Sequence, residues 1–89
     1  MSKISQKKQE KIMSNLLSHL YQHSPEALFT SDISELEGRD EEFVKRLLEE
    51  LNRKGLVIKV TKNSLGKDYL KRQRWRLSSQ AYSAYSKHQ

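Results

Sequence analysis

The stretch from Thr30 to Thr61, TSDISELEGRDEEFVKRLLEELNRKGLVIKVT, places two helical patterns and one extended pattern in immediate succession and constrains the rest of the chain. Thr30 reads as a helix N-cap, with Asp32 and Glu35 in the first turn, where the macrodipole and unpaired N–H groups favour negative charge. Ile33 and Leu36 share one face, and Gly38 follows where a left-handed C-cap is easiest. Asp40 can cap a second helix, in which Phe43, Val44, Leu47, Leu48 and Leu51 form the stripe of an amphipathic helix with one buried face. Gly55 stops it. The β-branched, apolar run from Leu56 to Thr61 then predicts a strand.

Either side of this stretch the periodicity continues. Ile12, Met13, Leu16, Leu17, Leu20 and Tyr21 recur in adjacent pairs four apart, which predicts an amphipathic helix over 5–23, broken by Ser24-Pro25-Glu26. Lys62-Asn63-Ser64-Leu65-Gly66-Lys67-Asp68 has the composition of a loop. From Tyr69 to Leu77 the residues alternate as in a strand, with Tyr69, Gln73, Trp75 and Leu77 as the more apolar set and Arg72, Arg74 and Arg76 on the other face. Ser78 can cap a last helix over 79–87, whose apolar face of Ala81, Tyr82 and Tyr85 is sparse.

A short helix ending in Gly38, a three-residue turn, a helix ending in Arg53-Lys54-Gly55-Leu56-Val57 and a following strand resemble the helix-turn-helix and first wing strand of a winged-helix domain. The pattern is similar to that of small MarR-like prokaryotic transcription regulators, and the resemblance spans roughly Leu16 to Tyr85. It implies a mainly α protein with a small β-hairpin wing, an α+β winged helix-turn-helix with a three-helix core plus a C-terminal helix. One domain over 1–89 is expected, with the helix-turn-helix at 30–54, the wing at 56–77 and the last helix at 79–87. In such a fold Leu28-Phe29 would be a very short strand pairing with the wing. Trp75 and Leu77 resemble the aromatic and leucine that end the wing, and their expected work is core packing.

Composition narrows the function classes. At 89 residues, 35% hydrophobic and 31% charged, the chain can build one modest core. Absence of cysteine excludes disulfides and thiolate metal sites and is consistent with a reducing cytoplasm, the expected location. No run of about twenty apolar residues suggests a membrane span. There is no Gly-rich phosphate loop, no zinc-binding spacing and no nucleophile, base and acid set in recognisable context. The adjacent acids Glu41-Glu42 and Glu49-Glu50 belong to a charged outer face. No enzyme activity and no cofactor are expected. His19 and His23 are spaced as metal ligands on a helix, but no accompanying ligand pattern supports that reading.

The net charge of +6 is segmented. Residues 1–24 carry four Lys and one Glu, residues 25–55 five basic and nine acidic groups, and residues 56–89 eight basic and one acidic. Basic ends around an acidic middle suit a polyanion at the wing. The arginines 72, 74 and 76, about 7 Å apart along a strand, can track successive phosphates, with Lys62 and Lys67 beside them. The alternative is a solvated strand face that blunts a sheet edge.

Double-stranded DNA is therefore the expected partner, with Arg72, Arg74, Arg76, Lys62 and Lys67 on the backbone or minor groove and Arg39, Lys45 and Arg46 docking the second helix of the helix-turn-helix. Asp40, Glu41 and Glu42 oppose this, because carboxylates at the groove-entering end cost affinity; they also complement the macrodipole. Two rivals stay open: a protein-docking module using that acidic helix, and an RNA- or ribosome-binding module using the wing. The Tyr-bearing last helix calls for a packing partner, either the first helix or a second copy, which makes a homodimer through the N- and C-terminal helices an expectation.

Overall fold

The computed structural model describes residues 6–60 and 73–87. In chain order these form α1 (Gln6–His23), β1 (Leu28–Phe29), α2 (Thr30–Glu37), α3 (Glu41–Arg53), β2 (Val57–Val60), β3 (Arg74–Leu77) and α4 (Ser79–Lys87). The expected elements are all present among the described residues. The expected wing-tip loop and the part of the second wing strand from Tyr69 to Arg72 lie outside them.

Each helix forms on its apolar stripe. α1 buries Ile12, Met13, Leu16 and Leu20, α2 buries Ile33, and α3 buries Val44, Leu47, Leu48 and Leu51. These faces meet Leu28, Val57, Trp75, Leu77 and Ala81 in one core. The strands make an antiparallel sheet in the order β1-β3-β2, with Trp75 opposite Leu28 on one side and Lys59 on the other. Alternation in β3 therefore turns Trp75 and Leu77 into the core and puts Arg74 and Arg76 on the opposite face.

The turns follow the local chemistry. Gly38 has φ 70° and ψ 34°, a left-handed cap that bulkier residues resist, and Arg39 N–H donates to Ser34 O at 3.0 Å across it. Gly55, at φ 79°, performs the same service after α3, where Leu56 N–H reaches Leu51 O at 3.0 Å. Asp40 caps α3 by accepting from Phe43 N–H at 3.2 Å, and Ser78 caps α4 by accepting from Ala81 N–H at 3.1 Å.

Thr30 departs from its expected role. It is the first residue of α2 and not its N-cap, which is Phe29, whose N–H donates to Asp32 Oδ2 at 3.2 Å. The Thr30 hydroxyl instead accepts from Trp75 Nε1–H at 2.8 Å. The physical reason is that a fully buried indole N–H must find an acceptor, a stronger demand than one more cap on a solvent-facing helix end. Smaller shifts occur at the ends: α3 stops at Arg53, and β2 excludes Leu56.

Candidate nucleic-acid interface

The outer face of α3 is the first component. Because Val44, Leu47, Leu48 and Leu51 are buried, Glu42, Lys45, Arg46 and Glu49 turn outward and line a shallow depression with Asp40 and Phe43. Phe43 is half-buried and serves as a platform: the Arg46 guanidinium lies 5.3 Å from its ring centroid and that of Arg39, from the preceding turn, 6.0 Å. Stacking of this kind restrains the side chain while its in-plane N–H donors remain available. Three of the expected binding residues, Arg39, Lys45 and Arg46, are thus gathered at one place.

The sheet is the second component. Arg76 is exposed and donates from Nη1 to Leu77 O at 3.3 Å. Arg74, on the same face, is half-buried with its guanidinium 5.4 Å from the Phe29 ring centroid. Their cross-strand neighbours are Ile58 and Val60, so a basic row is backed by apolar β-branched side chains. Lys62, Lys67 and Arg72 lie outside the described residues.

Helix and sheet are tied together by Lys59, whose Nζ sits 3.7 Å from Glu49 Oε2 and 5.4 Å from the Trp75 ring centroid. Asn52 Nδ2 also donates to Val57 O at 2.9 Å across the α3–β2 turn. These contacts, and the Phe43 platform, were not singled out from sequence. The available signal was the spacing of Arg39 and Arg46 four before and three after an aromatic residue.

The histidines separate. His19 Nε2 lies 2.9 Å from Glu37 Oε1, and Asn15 Nδ2 donates to Glu37 Oε2 at 3.0 Å, so His19 belongs to a clamp between α1 and the end of α2. His23 is exposed. Among the described residues no group of three His, Cys, Asp or Glu is placed to hold a metal ion.

Helix, turn, helix, strand and returning strand around one core define the class: this is a winged helix-turn-helix domain. Solved structures agree. MepR of S. aureus in complex with DNA superposes with a TM-score of 0.68 at 23% identity, over 85% of this chain and 60% of that one. MepR in its DNA-binding conformation gives 0.70 at 22%, over 91% and 60%. A variant of ZitR from Lactococcus lactis gives 0.69 at 16%, over 99% and 56%. This chain therefore spans little more than half the length of those proteins. No protein-family model matches the sequence, and no curated protein matches it either. The MarR-like resemblance read from the residues holds at the level of the fold. Among the described residues, no helix is long and apolar enough to cross a membrane.

Proposed function

We propose that the protein is a DNA-binding transcription regulator that seats α3 in the major groove and lays its basic wing along the phosphate backbone. The observation that carries this reading is the cluster of Lys45 and Arg46 on the solvent face of α3 with Arg39 of the preceding turn, within a fold it shares with a protein solved bound to DNA. Arg74 and Arg76, with Arg72, Lys62 and Lys67 of the same wing, supply phosphate contacts. A cytoplasmic location suits that role. A homodimer through α1 and α4 would present two such helices to two half-sites.

The test is fluorescence anisotropy of a labelled random duplex of about 25 base pairs at roughly 50 and 200 mM salt. Binding should weaken steeply with salt, by about 0.9 in the logarithmic slope for each phosphate engaged. Replacing Lys62, Lys67, Arg72 and Arg76 by Ala should flatten the slope by several such steps. An unchanged slope would remove the wing from the interface. No binding even at the lower salt would overturn the reading in favour of a protein-docking role for the acidic face of α3.

A further inference from the structure

Carboxylates at the groove-facing end of α3 are unexpected in a duplex-binding helix, and most of the acids on this helix have visible work. Asp40 caps the helix, Glu49 faces Lys59, and Glu50 lies 3.9 Å from Arg53. Among the described residues Glu41 and Glu42 form no ion pair. Glu41 is exposed at the first helical position, where charge complements the macrodipole. Glu42 is different, because it lines the same depression as Phe43, Lys45 and Arg46.

Glu42 and Arg46 are four apart on one helical face, with the acid on the N-terminal side, the arrangement in which such side chains pair best. They do not pair. Arg46 rests on Phe43 instead, which leaves a positioned guanidinium and an open carboxylate on residues whose backbone positions are about 6 Å apart along the helix axis. The two groups have opposite hydrogen-bonding needs. In the major groove guanine offers two acceptors, O6 and N7, which match a guanidinium edge. Cytosine offers a single amino donor with no acceptor on its own major-groove edge, only the O6 of its paired guanine alongside, which suits a carboxylate better than the adenine edge does. On adenine the N7 lone pair adjoins the amino group and opposes a carboxylate.

We infer that Arg46 and Glu42 are base-reading residues, Arg46 donating to a guanine and Glu42 accepting from a cytosine amino group. Successive bases lie about 3.4 Å apart along a strand, so the two bases fall within about two steps of each other. The ligand is a duplex carrying G·C pairs at both positions. The acid at the helix start is then a specificity element: it costs affinity on every duplex and is repaid only where a cytosine amino group meets it. This inference rests on the proposed duplex binding.

The experiment is selection of bound duplexes from a randomised pool by the full chain, followed by anisotropy on the selected duplex and a scrambled one. Wild type, Arg46→Ala and Glu42→Gln are compared, with circular dichroism confirming that both surface variants fold. Wild type should enrich two G·C pairs within about two steps. Arg46→Ala should lose the preference at one of them and Glu42→Gln at the other, each lowering affinity for the selected duplex by roughly 5- to 150-fold. On the scrambled duplex Glu42→Gln should bind as well as wild type or better. The inference is overturned if selection enriches no G·C pair, or if Glu42→Gln tightens binding to both duplexes equally, which would make the acid merely repulsive. If wild type binds no duplex at low salt, the duplex-binding reading itself fails, a separate and distinguishable result.

Discussion

A buried indole N–H requires an acceptor, and Trp75 takes the hydroxyl of a residue 45 positions earlier. Both ends of this bond are withdrawn from water, with Thr30 at 7% exposure and Trp75 at 0%. Replacing Thr30 by Val keeps the shape and removes the acceptor, so the orphaned N–H should cost about 1–3 kcal/mol. Thr30→Ser keeps the hydroxyl and should lose less. Urea denaturation reads the difference as a lower midpoint for the valine variant at unchanged slope. Equal midpoints for the two variants would show that the bond contributes nothing. Phe43 makes the complementary point on the surface: a half-buried ring packs against the core on one side, and two arginines gather on it.

Between elements, a polar contact adds to the apolar packing of the helix-turn-helix on α1. Asn15 and His19 of α1 both reach Glu37, the last residue of α2, immediately before the Gly38 turn that launches α3. The Glu37 side chain is 11% exposed, so its hydrogen bonds are partly shielded from competing water. Glu37→Ala leaves both α1 partners without their acceptor and should destabilise the fold by about 1–3 kcal/mol. Hydrogen exchange locates the effect: amides of α2 should exchange faster while those of β2 and β3 keep their relative protection. A uniform increase across the domain would mean that the clamp does not act locally. At the other end, Tyr21 packs on Tyr82 and Tyr85 at centroid distances of 5.3 and 5.4 Å, and the Tyr85 hydroxyl donates to Ser14 O at 3.3 Å. The last helix has thus found α1 as a packing partner within its own chain.

For the molecule as a whole, that aromatic cluster also sets the expectation for assembly, because Tyr82 remains 44% exposed on it. If two copies associate through α1 and α4, Tyr82→Arg should convert a dimer to a monomer in sedimentation velocity without loss of helical signal. A wild-type chain that sediments as a monomer at high concentration would sink the dimer. The salt slope of the proposed duplex complex sums charges spread over helix and wing. How much of this was legible beforehand depends on range. The stripe of Val44, Leu47, Leu48 and Leu51, the caps at Asp40 and Ser78, the left-handed glycines and the alternation of Trp75 and Leu77 with arginines all act within a few residues, so the elements, their order and their buried faces follow from the order of the amino acids alone. The resemblance then supplied their assembly. Folding in three dimensions sets the rest: Thr30 serves Trp75 and not the α2 N-terminus, His19 meets Glu37, Arg46 lies on Phe43 without an ion pair to Glu42, and Arg74 is half-covered at Phe29. Most of these join residues far apart in the chain, and the stacking of Arg46 chooses between two neighbours at helical spacing. Periodicity cannot decide such cases, because the partner a polar group takes depends on what packing brings within reach and shields from water.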